Sequence, residues 1–111
     1  RTTSSAASDV YKRQDLENAG AEIILLECIP VELTEKIVDA LSIPTIGIGA
    51  GSLTDGQKMV IHDLLCITCL YTTPKFVKNF LEKGETIQSA IRKYVLEVKS
   101  GAYPSTEHCF K

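Results

Sequence analysis

Two short apolar runs flank one amphipathic helical pattern between Gly20 and Gly51. Residues 21–27 and 43–51 carry Ile and Leu on alternating faces, and residues 31–41 place Leu33, Ile37 and Leu41 on one helical stripe. Short runs that are apolar on both faces are typical of strands buried in a parallel sheet. The pattern predicts a βαβ unit whose parallel strands lie at 21–27 and 45–49.

A third buried strand is predicted at 59–63, parallel to and neighbouring the other two. In a strand, His62 and Asp63 would point to opposite faces and could not form a hydrogen-bonded dyad. We therefore interpret His62 as a structural residue.

Two helices are predicted in the second half of the chain. Thr73 and Pro74 have the chemistry of a cap and a first helical position, which predicts a helix over 73–81. Thr86 caps the second helix, which ends at Gly101. The apolar stripes of the two helices are Phe76, Val77, Phe80 and Leu81, and Ile87, Ala90, Ile91, Tyr94, Val95 and Val98.

Residues 1–14 lack apolar periodicity and contain no apolar core of a secretory signal. We interpret them as a leader outside the fold, either translated adaptor sequence or a disordered arm. Residues 15–20 are typical of the last turn of a helix with Gly20 at its C-terminal cap. The predicted division is a leader at 1–14 and a folded part at 15–111.

Composition excludes two classes of partner. The 111 residues carry a formal net charge of −2, and no basic run could follow a nucleic acid backbone. No apolar stretch approaches the roughly 20 residues that span a bilayer. We expect neither nucleic acid binding nor membrane insertion.

Glu27 is the candidate functional residue, because it ends a run of four large apolar residues at the carboxyl end of a predicted strand. Ligands of parallel α/β folds bind at that end of the strands. Alternation puts Glu27 on the face of Ile23 and Leu25. A solvated charge at a strand end is the more common role of an isolated glutamate. Pro30, however, turns the chain away at once and leaves Glu27 at the end of the strand and not on a long loop.

The strand at 45–49 has one nearly bare face, formed by Thr45, Gly47 and Gly49. This face either leaves space for a substrate or relieves crowding among packed side chains. The glycine spacing at 47–51 does not match the dinucleotide-binding fingerprint. We therefore exclude a nicotinamide site.

Four cysteines are present, at positions 28, 66, 69 and 109. Cys66 and Cys69 have the spacing of a redox or zinc pair. A zinc site would need two more ligands, and His108 with Cys109 are the candidates. A non-catalytic zinc or redox module is therefore the alternative hypothesis to an enzyme.

Six blocks of sequence together resemble the 3-methyl-2-oxobutanoate hydroxymethyltransferase family, also called ketopantoate hydroxymethyltransferase. They are GAE at 20–22 with LECIP at 26–30, IPTIGIGAG at 43–51, TDGQ at 54–57, IHD at 61–63, PKFVK at 74–78, and YP at 103–104 with EHCF at 107–110. The resemblance covers 15–111 as the C-terminal part of the family's sequence.

The resemblance implies a fold and an activity. The fold would be α/β, the C-terminal portion of a (β/α)8 TIM barrel with strands six to eight, incomplete in this chain. The activity would be transfer of a hydroxymethyl group from 5,10-methylenetetrahydrofolate to 3-methyl-2-oxobutanoate, giving 2-dehydropantoate, with Mg²⁺ bound by residues outside this chain. Glu27 would be the proton acceptor, and the enzyme would be a cytoplasmic homodecamer acting on small molecules in pantothenate and coenzyme A biosynthesis.

Two departures from the family pattern carry consequences. A barrel of this kind needs about 250 residues, so we expect this chain alone to be inactive and poorly folded, with open sheet edges. The family usually carries glycine where this chain has Cys66. A cysteine there is strained if the backbone requires a positive φ.

Overall fold

The computed structural model describes residues 3–67 and 72–111. The elements follow in this order: α1 (Thr3–Asn18), β1 (Ile24–Glu27), α2 (Val31–Ala40), β2 (Thr45–Ile48), β3 (Gly56–Gln57), α3 (Ile61–Leu64), α4 (Ile87–Ser100) and a 3₁₀ turn (Thr106–His108). In the described ranges, no helix has the length and apolar character that crossing a bilayer requires.

The strands form one parallel sheet in the order β1-β2-β3. β1 pairs with β2 from Ile24 opposite Thr45 to Glu27 opposite Ile48. β2 pairs with β3 over only two positions, with Gly47 opposite Gln57 at the end of the ladder. The prediction of parallel neighbouring strands is confirmed for the first two strands, and the chain is an α/β protein with a small parallel sheet.

The predicted position of the third strand, 59–63, is wrong. Strand pairing ends where the Lys58 N–H donates to the Gly47 carbonyl oxygen, at 2.8 Å, and α3 follows. Leu64 and Leu65 are adjacent and both buried, which a helical turn allows and a strand facing two different environments does not. His62 and Asp63 therefore lie on a helix, where the opposite-face argument does not apply, and the His62 side chain is exposed.

The predicted helix at 73–81 is also wrong. A single turn forms where the Val77 N–H donates to the Pro74 carbonyl oxygen, at 3.0 Å, and the Phe80 N–H then donates to the Leu64 carbonyl oxygen, at 2.8 Å. The Asn79 side chain accepts the Leu81 N–H, at 2.9 Å, which is a local bond that competes with helix formation. The apolar residues of this segment are buried by tertiary contacts instead of along one helical stripe.

Most of the segment that we interpreted as a leader, residues 1–14, lies in α1. α1 begins at Thr3, and its residues Ala6 and Val10 pack against the core formed by the sheet and α2. Gly20 follows α1 with a positive φ of 105°, and its N–H donates to the Glu17 carbonyl oxygen at 3.0 Å. The cap predicted at Gly20 is confirmed.

α4 has the predicted ends. The Thr86 hydroxyl accepts the Ser89 N–H and the Ser89 hydroxyl accepts the Thr86 N–H, each at 3.1 Å, which is a reciprocal cap. Gly101 ends the helix with a φ of 80°. Only part of the apolar stripe of α4 is buried. Ala90 is fully buried, whereas Ile87 and Val95 are 58% and 41% exposed.

Two clusters of buried side chains hold the chain together. The first joins β1 to α2. The second joins α3 and α4 to Phe80, which lies between these helices, and to Tyr103, which follows α4. Their buried members are Ile24, Leu26, Leu33, Ile37 and Ala50 in the first, and Leu64, Leu65, Phe80, Ala90 and Tyr103 in the second. Phe80 centres the second cluster, with edge-to-face contacts to Tyr94 and Tyr103 at centroid distances of 5.3 and 5.5 Å.

The TDGQ block fastens the loop after β2 to the strand. The Asp55 carboxylate accepts the Thr45 N–H at 2.8 Å and the Thr45 hydroxyl at 3.1 Å. The Gln57 amide donates to the Gly51 carbonyl oxygen at 2.8 Å and to the Thr54 hydroxyl at 3.1 Å. The backbone N–H of Thr45, and then its hydroxyl, lower the pKa of Asp55.

Stability should therefore depend on Asp55 in acid. Because the folded-state pKa lies below that of the unfolded chain, about 3.9, the carboxylate stabilises the fold above that pH. The contribution is lost as the pH falls through the folded-state pKa. Asp55→Asn should be less stable than wild type at pH 7 in urea unfolding, and the difference should shrink below about pH 4. Thr45→Val should reduce this pH dependence, and a difference that stays constant with pH would contradict the linkage.

Tyr103, which is buried, and Tyr94, which is half-buried, allow a matched test of hydrogen bonding. The Tyr103 hydroxyl donates to the Phe76 carbonyl oxygen, and burial, followed by the nearby Tyr94 and Cys109, raises the pKa of Tyr103. The Tyr94 hydroxyl is buried and has no hydrogen-bond partner among the described residues. Tyr103→Phe should lower the free energy of unfolding by about 1–3 kcal/mol, whereas Tyr94→Phe should be neutral or stabilising. Equal losses in urea unfolding would contradict this assignment.

Candidate functional site

Glu27 is the last residue of β1, at the carboxyl end of the sheet. Ile24 and Leu26 are buried under α2, while Leu25 is 47% and Ile23 61% exposed. Alternation therefore places Glu27 on the open face with Ile23 and Leu25, as predicted. The Glu27 side chain is exposed, and a molecule that approaches this face could reach its carboxylate.

The backbone turns sharply after Glu27. Cys28 has a φ of 53°, a left-handed conformation that costs most residues other than glycine about 1–2 kcal/mol. The Cys28 N–H nevertheless donates to the Ile48 carbonyl oxygen at 2.9 Å, and the Ile29 N–H donates to the Gly49 carbonyl oxygen at 3.1 Å. The turn therefore keeps the chain attached to β2 while it changes direction toward α2.

The Cys28 thiol is exposed and free. Partial burial, and then the neighbouring Glu27 carboxylate, raise the pKa of Cys28. This thiol is therefore a weaker acid than a solvated cysteine, which is the opposite of what an activated nucleophile requires. We therefore do not regard the Cys28 thiol as a candidate nucleophile.

The bare face of β2 does not adjoin Glu27, so the interpretation of that face as substrate space is wrong. Thr45 and Gly47 are opposite Ile24 and Leu26, and register partners in a parallel sheet point to the same side. That side is covered by packed side chains. A Cβ at Gly47 would lie 2.7 Å from the Thr54 hydroxyl oxygen, so the missing side chain makes room for Thr54.

Aromatic rings lie against the backbone that follows β2. Gly49 has a φ of 66°, and a Cβ there would lie 2.9 Å from a ring carbon of Phe76 and 3.3 Å from one of Phe110. A Cβ at Gly51 would lie 3.1 Å from a methyl group of Val31. Sequence reasoning identified the glycines but not these partners, because a glycine signals a close approach without naming what approaches.

An open cavity of about 870 Å³ lies beside the first turn of α2 and the C-terminal segment. Its lining includes Val31, Glu32, Ser105, Thr106 and Cys109, and Glu27 is not part of it. The carboxylate at the end of β1 and this cavity are therefore separate features. The site around Glu27 is an exposed strand face and not an enclosed pocket.

The alternative hypothesis, a zinc or redox module that uses Cys66 and Cys69, can be compared with the structure only in part. Cys66 is disulfide-bonded and has a φ of 54°, so the positive φ that favours glycine is present at this position. Cys69 lies outside the described residues. Cys109 is a free thiol that donates to the Ser105 carbonyl oxygen at 3.2 Å. Within 3–67 and 72–111, no group of three metal-binding side chains assembles, whereas the disulfide is compatible with redox chemistry.

The sequence of this chain is similar to a known family of proteins. The family model described as ketopantoate hydroxymethyltransferase matches residues 1–106. The chain belongs to the ketopantoate hydroxymethyltransferase family. The family match includes residues 1–14, the segment that sequence reasoning left outside the fold.

Three relatives show the extent of the likeness, each named 3-methyl-2-oxobutanoate hydroxymethyltransferase. The Yersinia enterocolitica protein is 55% identical over 108 residues, which are 96% of this chain and 40% of the relative. The proteins of Klebsiella pneumoniae and Escherichia coli O8 are each 56% identical over 95 residues, 86% of this chain and 36% of the relative. The chain thus spans about two fifths of the length of these family members.

The left-handed turn at Cys28 can be tested by comparing two substitutions that both remove the thiol. Cys28→Gly should be more stable than Cys28→Ala by about 0.5–1 kcal/mol in urea unfolding. Relief of the left-handed conformation, about 1–2 kcal/mol, exceeds the extra freedom of glycine in the unfolded chain, about 0.4–1 kcal/mol. A glycine variant that is no more stable than the alanine variant would show that the turn is unstrained.

Proposed function

We propose that this chain is the C-terminal part of a 3-methyl-2-oxobutanoate hydroxymethyltransferase in which Glu27 is the proton acceptor. The observation that supports this most directly is the place of Glu27, on the open face of β1 at the carboxyl end of a parallel sheet. Enzymes built on parallel α/β barrels place their reacting groups at that end of the strands. In this proposal β1, β2 and β3 are strands six to eight of a (β/α)8 barrel.

The proposed reaction requires a base. Carbon 3 of 3-methyl-2-oxobutanoate loses a proton and becomes a nucleophile. Water takes the one-carbon unit from 5,10-methylenetetrahydrofolate by breaking its two C–N bonds, so that tetrahydrofolate leaves and the new hydroxyl oxygen comes from water. Carbon 3 forms the C–C bond to that one-carbon unit, and the proton lost from carbon 3 is returned to the alkoxide oxygen. A carboxylate placed within hydrogen-bond reach of carbon 3 accelerates the first step by general base catalysis. Glu27 supplies such a carboxylate.

The place of the magnesium ligands is part of the proposal. Within the described ranges, no group of three or more His, Cys, Asp or Glu side chains that could hold a metal ion assembles, and Mg²⁺ binds through one or two carboxylates together with substrate oxygens and water. We place the ligands of Mg²⁺ and the folate-binding residues outside this chain. We accordingly propose that the chain alone is inactive, and that the active enzyme is a cytoplasmic homodecamer acting on small molecules.

The open face of β1 is consistent with an incomplete site. Ile23 and Leu25 are large apolar residues left in contact with water, and the relatives are more than twice the length of the matched segment. Burial of such side chains is favourable by about 1.5–3 kcal/mol each. In the proposed full-length enzyme, other barrel strands contribute the rest of the substrate-binding wall beside this face.

A chimera tests the role of Glu27. The chain replaces the matched segment of the Yersinia enterocolitica relative, and Glu27→Gln is introduced. This substitution keeps the shape of the side chain but removes the proton acceptor, so kcat should fall by roughly 10² to 10⁴. KM for the 2-oxo acid should change little, because the loss belongs to the transition state.

Two further measurements separate the base from a solvated charge. Exchange of the carbon 3 hydrogen with deuterated water, measured without folate, should slow with Glu27→Gln because it reports deprotonation alone. Glu22→Gln, the same substitution at the exposed N-terminal side of β1, is the matched control and should leave both rates unchanged. If exchange persists while turnover is lost, Glu27 acts in the folate half of the reaction and the assignment is wrong.

A further inference from the structure

The backbone that follows Glu27 is attached on two sides. On one side, the carbonyl oxygens of Ile48 and Gly49 accept the N–H groups of Cys28 and Ile29. On the other side, the Phe110 carbonyl oxygen accepts the Val31 N–H at 3.1 Å. The last contact reaches the first residue of α2 from the far end of the chain, so the C-terminal segment limits how the connection between β1 and α2 can move.

The side chain of Phe110 makes a second contact at the same end of the sheet. Its ring lies against the backbone of Gly49, 3.3 Å from the position a Cβ would occupy, and packs against the Phe76 ring at a centroid distance of 6.2 Å. Gly49 supplies the carbonyl oxygen that holds Ile29. Phe110 therefore contacts the backbone that follows β2 through its ring and α2 through its own backbone.

The segment that carries Phe110 is itself well anchored. Tyr103 is buried in the second core, and its ring lies 5.1 Å from that of His108. The His108 ring accepts the Ser105 N–H at 3.2 Å, and the Cys109 thiol donates to the Ser105 carbonyl oxygen. These local bonds give the segment a defined shape, so its contacts with Val31 and Gly49 have a fixed geometry.

We propose that Phe110 is a positioning residue for Glu27, setting the place of the carboxylate by holding the chain that follows it against β2 and α2. The inference rests on the proposed role of Glu27 as the base. Phe110 is only half-buried and belongs to neither buried cluster. Its contacts are with Val31 at the start of α2, with Gly49 after β2 and with the Phe76 ring.

The expected effect is kinetic, because proton transfer depends steeply on geometry. A displacement of about 1 Å at a reacting group can cost up to roughly 10²-fold in rate. Glu27 is separated from the held residues Cys28, Ile29 and Val31 by at most four positions. Loosening that connection should therefore slow deprotonation without altering residues that bind the substrate elsewhere.

The test uses the chimera with the Yersinia enterocolitica relative. Phe110→Ala removes the ring and leaves the carbonyl group in place, and it should lower kcat and carbon 3 exchange by about tenfold, with KM changed less than about twofold. Phe110→Leu, which restores apolar volume, should recover most of the rate. Lys111→Ala, at the exposed neighbouring residue, leaves both contacts intact and should match the parent chimera.

Amide hydrogen exchange of the same proteins gives a readout that does not depend on activity. The N–H groups of Ile29 and Val31 should exchange faster in Phe110→Ala, while those in the middle of α4 should not. If these two amides exchange faster but kcat is unchanged, Phe110 is structural only and the inference is wrong. The inference is equally wrong if kcat and KM change together, or if Phe110→Leu is as slow as Phe110→Ala.

The variants also separate this inference from the proposed function. If Glu27→Gln keeps full activity and exchange, the proposed base is wrong whatever Phe110 does. If Glu27→Gln is inactive and Phe110→Ala retains the parent rate, only the positioning role fails. If Phe110→Ala does not fold, Phe110→Leu decides the matter. A Phe110→Leu chimera with the parent kcat and slow amide exchange at Val31 supports the inference. The parent kcat together with rapid amide exchange at Val31 overturns it.

Discussion

Burial of one face of β1 against α2 is the constraint on which the candidate site depends. Ile24 and Leu26 are almost fully buried in this contact, and the two-residue period of a strand then directs Leu25 and Glu27 to the opposite side. A shift of one residue in register would bury the carboxylate in the apolar core, at a cost of several kcal/mol. The packing of two aliphatic side chains thus determines where the charge lies.

The same constraint explains the asymmetry of β2. Its side chains on the α2 side must be small, because the loop after the strand folds back and inserts Thr54 at Gly47. Asp55 then accepts two hydrogen bonds from Thr45, which fixes the loop at the beginning of the strand. Gly47 therefore makes room for the loop, and the open side of the sheet is the one that carries Glu27.

The sequence was informative where local rules and tertiary contacts agree. Alternation and helical spacing predicted β1, α2, β2 and their parallel pairing, and cap chemistry predicted both ends of α4 at Thr86 and Gly101. It also gave the face on which Glu27 lies. These features depend on patterns within a few residues, which a single sequence contains.

The misassigned segments are those in which distant contacts override local preference. Thr73 and Pro74 have the chemistry of a helix start, but the Phe80 N–H pairs with Leu64 and the Phe80 ring enters a cluster with Tyr94 and Tyr103. Residues 59–63 are apolar enough for a strand, yet α3 forms there, and Leu64 and the following Leu65 are both buried. The contacts of Phe110 could not be predicted, because they join residues far apart in the sequence.

The bond between Phe110 and Val31 also has a consequence for the order of folding. Contacts between residues so far apart in sequence form late, because the entropy of closing a long loop opposes them until other interactions have formed. On a ribosome, this bond cannot form until residue 110 has emerged. An intermediate with α2 and the sheet already assembled would therefore still lack this bond to α2, and the connection between β1 and α2 would be fixed only late in folding.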